Sequence, residues 1–113
     1  MKKIRILGAL VFGAIASVGV VALFAADQHP SALFLEYCTK CHGQDGTGNT
    51  PKGKQLMARD FTDEEWQSSK KDDQLIKQVA QGSEDMPAFG KKLTKEQIES
   101  LVKNDVRGFA KKK

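Results

Sequence analysis

The sequence contains few of the residues that normally stabilise a small protein. Its 113 residues include two cysteines, one tryptophan and one tyrosine, and aromatic residues make up 7% of the chain. The two cysteines, Cys38 and Cys41, lie so close together that a disulfide between them would remove little chain entropy. A single domain of this size with few large apolar side chains is therefore expected to depend on a bound group for its stability.

A strong excess of one charge is also missing from most of the chain. The formal net charge is +4, and Lys2, Lys3 and Arg5 at the N-terminus supply three of these charges. The remainder is close to neutral, whereas a nucleic-acid-binding domain keeps a strong basic excess on its folded part. We therefore expect no nucleic-acid partner.

The N-terminal segment has the form of an export signal. Residues 6–26 contain no charged side chain and follow the basic start of the chain. Cleavage near residue 25 would place a leucine or a phenylalanine at the minus-three position, which normally holds a small residue. As a helix, the apolar run also reaches the thickness of a bilayer core, about 30 Å. The sequence predicts a signal peptide or an uncleaved membrane anchor over residues 1–26. Residues 27–113 are then a periplasmic domain, soluble or tethered to the inner membrane.

The rest of the chain lacks the apolar and polar alternation of strands, and it lacks internal repeats. Capping residues and apolar periodicity predict helices from Ser31 to about Thr39, from Thr62 through Trp66, from Ser69 to Gly82, and from Thr94 to about Gly108. The glycine-rich residues 43–53 predict a loop. The expected fold class is all-α, with short helices and long loops of the kind that enclose a ligand.

One segment, Cys38-Thr39-Lys40-Cys41-His42, carries a specific chemical pattern. C-x-x-C-H is the attachment pattern of c-type haem. Two thiols one helical turn apart reach the two vinyl groups on one edge of a porphyrin, and the adjacent histidine then lies beneath the ring. We therefore predict one covalent haem c per chain, held as thioethers by Cys38 and Cys41, with His42 as the proximal iron ligand.

Two other chemistries use closely spaced cysteines. A redox dithiol of the thioredoxin type lies between a strand and a helix, and no strand is predicted before Cys38. A structural zinc site needs four ligands, and beyond the motif only His29 offers a fourth ligand of this kind. Both alternatives fit the sequence less well than haem attachment.

The second face of the iron needs its own ligand. Met57 and Met86 are the candidates, and Met86 is favoured because Pro87 follows it in a loop between two predicted helices. The alternative is that Met86 only fills a gap in the core. With His42 and Met86 both bound, no position on the iron stays open, and one-electron transfer is the function that remains. An open distal face would instead make the chain a small-ligand-binding or peroxidatic haem protein, and a third possibility is a haem subunit of a membrane respiratory complex.

The chain is similar to the short bacterial class I cytochromes c over residues 30–109. The likeness is carried by Leu33-Phe34, residues 38–48, Thr50-Pro51, Asp60-Phe61-Thr62 before Trp66, Met86-Pro87-Ala88-Phe89, and Leu93-Thr94. The resemblance implies a cytochrome c-like fold wrapped around one His/Met-ligated haem, with Met86 as the distal ligand. It also implies that Phe34 packs across the terminal helix and that the carbonyl of Pro51 accepts the ring N–H of His42. Such proteins are electron carriers rather than enzymes, and their partners are transient redox donor and acceptor proteins.

One feature departs from that family. Its members usually have an aromatic residue in the last helix where this chain has Lys103-Asn104-Asp105, so the contact between the terminal helices is expected to depend on Leu101, Val102 and Phe109.

Two further contacts concern the surroundings of the haem. Arg59 and Trp66 are candidate hydrogen-bond donors to the haem propionates, although Trp66 also suits a core position. Five lysines around the predicted ligand loops form either a docking rim for an acidic partner or an ordinary solvated surface, and they are Lys40, Lys52, Lys54, Lys91 and Lys92.

Overall fold

The computed structural model describes residues 29–110. The predicted signal peptide or anchor, residues 1–26, lies outside the described residues, as do the three lysines at the C-terminus. Within residues 29–110, no helix has the length and hydropathy needed to cross a membrane.

The described residues form helices joined by loops and include no β-strand, which confirms the all-α prediction. In chain order the helices are α1 (Ala32–Tyr37), α2 (Thr39–His42), α3 (Pro51–Leu56), α4 (Glu64–Ser69), α5 (Asp72–Gln81) and α6 (Lys95–Ser100). A π-helical segment (Leu101–Val106) follows α6 without a break and leads into α7 (Arg107–Phe109).

Helix α1 begins where the sequence predicts. Ser31 is its N-cap, and the Ser31 hydroxyl oxygen accepts a hydrogen bond from the backbone N–H of Phe34 at 3.2 Å. Helical hydrogen bonding continues through Cys38, whose carbonyl oxygen accepts the N–H of His42 at 2.9 Å. Helix α1 therefore passes directly into α2, which carries the rest of the cysteine motif.

The loop prediction for residues 43–53 is wrong from Pro51 onward. Thr50 caps α3 by accepting the N–H of Gly53 at 2.8 Å, and Pro51 occupies the first turn, where its missing N–H costs no hydrogen bond. Position 53 lies inside α3 and needs a glycine, because a Cβ atom there would overlap the carbonyl oxygens of Cys41 and Gly48. The glycine at this position therefore marks a close backbone approach instead of a turn.

The N-cap of α4 differs from the predicted one. Asp63, not Thr62, caps the helix, because its carboxylate accepts the N–H groups of Glu65 at 3.0 Å and Trp66 at 3.2 Å. The Thr62 hydroxyl instead donates to the carboxylate of Asp60 at 2.6 Å. Two cap-forming residues stand side by side here, and the geometry of the preceding turn selects the aspartate.

Helix α5 starts later than predicted and ends as predicted. Ser69 is the last residue of α4, and the N-cap of α5 is Lys71, whose backbone N–H donates to the side chain of Gln74 at 2.8 Å. Gly82 ends the helix with a φ of 69°, a conformation that favours glycine.

The C-terminal helix changes its hydrogen-bond pattern along its length. Thr94 and Gln97 form the predicted capping box at the start of α6, with reciprocal hydrogen bonds of 2.8 and 3.1 Å. From Leu101 to Val106 the helix is π-helical, and the N–H of Arg107 donates to the carbonyl of Val102, five residues back. Short π segments within α-helices are frequent at functional sites.

The hydrophobic core combines side chains from α1, α5, α6, the π-helical segment and α7 with side chains from the loops before α4 and α6. Its buried members are Phe34, Phe61, Leu75, Phe89, Leu93, Ile98, Leu101, Val102, Val106 and Phe109. The ring centroids of Phe34 and Phe109 are 5.2 Å apart, which confirms the expected contact of Phe34 with the terminal helix. Partly buried side chains packed against this core include those of Cys38, Trp66 and Met86.

Candidate functional site

The two cysteines lie at the junction of α1 and α2. Cys38 caps the end of α1 and Cys41 lies within α2, so the two side chains are about one helical turn apart. Both are half-buried free thiols. Burial raises the pKa of the Cys38 thiol to about 12, with smaller contributions from the charges of Asp105 and Cys41. A redox nucleophile must be a thiolate at neutral pH, so this environment disfavours the redox dithiol alternative.

Thr50 fastens the cysteine-bearing turn to α3. Its hydroxyl oxygen lies 2.8 Å from the carbonyl oxygen of Lys40 and 2.9 Å from that of Cys41, and it donates to these acceptors. The same oxygen accepts the N–H of Gly53. The end of α2 is therefore held at a defined distance from the start of α3.

The imidazole of His42 is held by a backbone carbonyl and by an aromatic ring. Its Nδ1 donates to the carbonyl oxygen of Arg59 at 3.1 Å, and its ring stacks on Phe61 with a centroid distance of 4.3 Å and an interplanar angle of 18°. Burial lowers the pKa of His42, and the hydrogen bond to Arg59 opposes this effect. A neutral ring that donates from Nδ1 carries its free lone pair on Nε2, the atom that binds a metal.

The expected hydrogen bond from His42 to the carbonyl of Pro51 is therefore wrong. Pro51 occupies the first turn of α3, where its carbonyl belongs to the hydrogen-bond pattern of that helix. The chain then returns after α3, and the carbonyl of Arg59 takes the role that the resemblance implied for Pro51.

The two candidate methionines differ sharply in environment. Met57 is 83% exposed and ends α3 in the left-handed conformation, so its thioether points into solvent. Met86 is half-buried against the core, and the amide of Gln78 donates to its sulfur at 3.7 Å. The structure thus favours Met86 over Met57 as a side chain that could face a bound group.

The loop that carries Met86 is fastened to α5. The carbonyl of Met86 accepts the N–H of Ser83 at 2.9 Å, which closes a tight turn before the methionine. After it, the N–H of Phe89 donates to the carbonyl of Val79 at 2.9 Å, and the N–H of Gly90 donates to that of Ala80 at 3.0 Å. These backbone contacts fix the position of the thioether relative to the core.

Arg59 and Trp66, the predicted propionate partners, line one open cavity of about 280 Å³. Its other lining residues are Met57, Ala58, Asp60 and Asp63. The carboxylates of Asp60 and Asp63 accept backbone N–H groups of their own turns, at 2.8 Å from Thr62 and 3.0 Å from Glu65. Arg59 and Trp66 are the lining residues whose side chains carry N–H donors.

The donor set fits haem c better than a bare metal ion. His29, the fourth ligand of the zinc alternative, places its Nε2 2.9 Å from the carbonyl oxygen of Asp105 and packs edge-on against Phe109. Among residues 29–110, no three His, Cys, Asp or Glu side chains gather closely enough to hold a metal. Two thiols for covalent attachment, one imidazole and one thioether are the groups that a c-type haem uses.

Two buried polar side chains were not foreseen from the sequence. Asp105 is 1% exposed, and its carboxylate accepts hydrogen bonds from Ser31, 74 residues earlier. Gln67 is 7% exposed and donates to the carbonyls of Phe61 and Val106, the second of them 39 residues away. Neither residue has a local sequence signal, because their partners are distant along the chain.

Comparisons with known proteins agree with the interpretation of the cysteine motif as a haem attachment site. The model of the family described as cytochrome C oxidase, cbb3-type, subunit III matches residues 25–103. The solved structure of the "KustC0563 c-type cytochrome" superposes with a TM-score of 0.65 and 44% sequence identity, over 70% of this chain and 94% of that one. The structure of a point mutant of the same Kustc0563 protein gives a TM-score of 0.63 and 45% identity, over 68% and 93% of the two chains.

None of the curated proteins matches the chain. The family match covers most of the sequence, and the solved structures share both the fold and more than two fifths of their residues with it. The protein therefore belongs to the c-type cytochromes, in the family of cbb3-type cytochrome c oxidase subunit III, with an all-α cytochrome c-like fold and a covalently bound haem c that serves electron transfer.

Proposed function

We propose that the protein is a mono-haem one-electron carrier that attaches its haem through Cys38 and Cys41 and ligates the iron with His42 and Met86. The observation that carries this proposal is the setting of His42. Its Nδ1 is engaged by a backbone carbonyl and its ring stacks on Phe61, directly after two half-buried thiols one turn apart. An imidazole held in this way offers Nε2 to an iron in a fixed orientation.

The residues around the two ligands have supporting roles. When bound, the haem supplies a one-electron iron couple. The carbonyl of Arg59 orients His42 and increases its basicity as a ligand. The amide of Gln78 donates to the sulfur of Met86 and limits the rotation of the thioether. With both ligands in place no coordination position is open to a substrate, and the thioether raises the reduction potential relative to a second imidazole.

The open cavity beside α4 supports a contact with the haem propionates. We assign the guanidinium of Arg59 and the indole N–H of Trp66 as donors to these groups, because both side chains line the cavity. The carboxylates of Asp60 and Asp63 are already engaged by backbone N–H groups. Arg59 would then contribute twice, through its carbonyl to His42 and through its side chain to a propionate.

The cellular setting follows from the N-terminal sequence. Proteins of the c type are typically exported, and residues 1–26 have the composition of a signal peptide or a membrane anchor. We therefore assign residues 27–113 to the periplasm as a cytochrome c domain, soluble or tethered through residues 6–26. Its partners are a redox donor and a redox acceptor protein that bind transiently through small interfaces.

A second candidate function is that of a haem subunit in a membrane respiratory complex. It is favoured by the description of the matching family, which names an oxidase subunit. Co-purification with other subunits from detergent-solubilised membranes would support this candidate. Recovery of the haem-stained chain alone would support the free carrier.

The proposed ligands are tested by a pair of methionine variants. Ferric haem with a methionine ligand has a weak long-wavelength absorption band, and Met86→Ala should abolish this band in the purified holoprotein. Met57→Ala is the matched control and should keep the band, because Met57 is 83% exposed. Persistence of the band in Met86→Ala, or rapid carbon monoxide binding by the unmodified ferrous protein at neutral pH, would contradict the proposed ligation. A colourless product from a host with working haem attachment would contradict the attachment itself.

A further inference from the structure

Asp105 is a carboxylate buried inside the helix crossing. It lies in the π-helical segment and is 1% exposed. One carboxylate oxygen accepts the backbone N–H of Ser31 and the other accepts the Ser31 hydroxyl, both at 2.7 Å. Because both oxygens act as acceptors, the hydrogen-bond pattern is that of an ionised carboxylate. Within residues 29–110 the carboxylate has no ion-pair partner, since the described ion pair joins Arg107 and Asp72.

A buried charge without a counter-charge is costly, so its presence calls for a physical explanation. The neighbouring donors reduce this cost only in part. Ser31 supplies two hydrogen bonds, and the imidazole of His29 contacts the Asp105 backbone carbonyl instead of the carboxylate. In its ionised form the carboxylate would keep a residual negative charge in the low-dielectric interior, where the field of a charge extends further than at the surface.

The carboxylate and the cysteine motif lie at opposite ends of one short helix. Ser31 is the N-cap of α1 and Cys38 is its C-cap, so the helix axis between them rises by about 10 Å. Cys38 also packs against the core cluster to which Leu101, Val102 and Val106 of the π segment belong. The negative charge of Asp105 contributes to the raised pKa of the Cys38 thiol, so its field reaches the sulfur atom.

We propose that Asp105 tunes electron transfer by acting as a fixed buried negative charge that stabilises the oxidised haem and lowers the reduction potential. The inference rests on the proposed attachment of the haem at Cys38. Asp105 touches neither iron ligand and acts only through the field that it exerts across α1.

The expected size of the effect follows from Coulomb's law. For an assumed separation of roughly 15 Å between the carboxylate and the iron, and an effective dielectric constant of about 20, one charge changes a one-electron equilibrium constant about sixfold. With 59 mV for each tenfold change in a one-electron couple, this corresponds to about 45 mV. Removal of the charge should raise the potential by that amount.

The test compares two variants that remove the same charge. Asp105→Asn removes the buried carboxylate, and Glu36→Gln removes an exposed one on α1, closer in sequence to Cys38. Spectroelectrochemical titration of the holoproteins measures the equilibrium constant for one-electron reduction of the haem. This constant should rise about sixfold in Asp105→Asn and less than about twofold in Glu36→Gln. The Asp105→Asn shift should persist between about 0.1 M and about 1 M salt, because buried charges are poorly screened.

A purely structural role for Asp105 predicts the opposite sign. A loosened helix crossing would admit water to the haem and favour the more charged oxidised state, so the potential of Asp105→Asn would fall. An unchanged or lowered potential, or a shift no larger than that of Glu36→Gln, would overturn the proposal. Intact-protein mass spectrometry separates this outcome from failure of the proposed function, because a chain without the added mass of haem overturns both.

Ser31→Ala keeps the test decisive if Asp105→Asn does not fold. This variant retains the carboxylate and the backbone N–H of residue 31 but removes the hydroxyl donor, which leaves the charge less compensated. Its potential should be equal to that of the wild type or lower, while its resistance to denaturant falls. A raised potential in Ser31→Ala would refute the assignment.

Discussion

Replacing Gln67 by leucine should destabilise the protein by about 3 kcal/mol. The Gln67 side chain is 7% exposed, and its amide nitrogen lies 2.7 Å from the carbonyl oxygen of Phe61 and 2.8 Å from that of Val106. Its amide oxygen also accepts a hydrogen bond from Arg107 at 2.8 Å. Leucine has a similar size but leaves both carbonyls without this donor, and each buried unsatisfied group costs about 1–3 kcal/mol. Better burial of the apolar side chain offsets part of this cost.

The two carbonyls belong to different parts of the fold. Phe61 lies in the loop before α4 and stacks on His42, whereas Val106 ends the π-helical segment. The amide of Gln67 therefore connects the loop that supports the imidazole to the C-terminal helix. Its loss should lower the melting temperature by roughly 12–24 °C, at about 4–8 °C per kcal/mol for a domain of this size.

Guanidinium denaturation followed by far-UV circular dichroism measures the change in the free energy of unfolding. Coincidence of this transition with the haem absorption transition checks that unfolding is two-state. Gln81→Leu is the matched control, since Gln81 is exposed at the end of α5, and its effect should stay within about 0.5 kcal/mol. A loss below about 1 kcal/mol for Gln67→Leu, or one equal to the control, would refute the hydrogen-bond argument.

Two further predictions concern the loop after the cysteine motif. Gly46→Ala should cost more than about 2 kcal/mol, because a residue with a φ of 75° is strained without glycine and its Cβ would lie 2.6 Å from the ring of Phe109. A thermal transition close to that of the wild type would contradict this prediction. The backbone N–H and the hydroxyl of Thr47 donate to Asp45 and lower its pKa in the folded state. The ionised Asp45 therefore stabilises the fold at a pH above its unfolded-state pKa. This contribution is lost as the pH falls through the lower folded-state pKa. Asp45→Asn should therefore lose less stability than the wild type between about pH 6 and about pH 2 in parallel denaturant titrations, and equal losses would disprove this role.

Several helix boundaries could be predicted because their signals act within one helical turn. Ser31 and Thr94 cap helices through N–H groups three residues ahead, and Gly82 ends α5 through its own backbone conformation. The start of α3 was missed because Thr50-Pro51 stands in a glycine-rich stretch that also suits a loop. Gly53 is accommodated within that helix because the backbone of Cys41 approaches it, and this approach is a tertiary contact.

The candidate site also has a part that local sequence predicts and a part that depends on tertiary contacts. The order of Cys38, Cys41 and His42 is local, and its chemistry could be read without a fold. The carbonyl that holds the imidazole could not be read in this way, because the resemblance pointed to Pro51 and the acceptor is Arg59, 17 residues from His42. Which carbonyl accepts the ring N–H depends on the path of the backbone after α3, which brings Arg59 next to His42.

By itself, the sequence determined that the chain is helical, where most helices begin, and which residues form the attachment motif, since each of these depends on neighbours within about one turn. The tertiary structure alone decided the burial of Asp105, the two hydrogen bonds that Gln67 donates, and the acceptor for His42. The physical reason is that a buried polar group needs a partner, and the partner of Asp105 lies 74 residues away along the chain. Only the crossing of the first and last helices brings these two residues into contact.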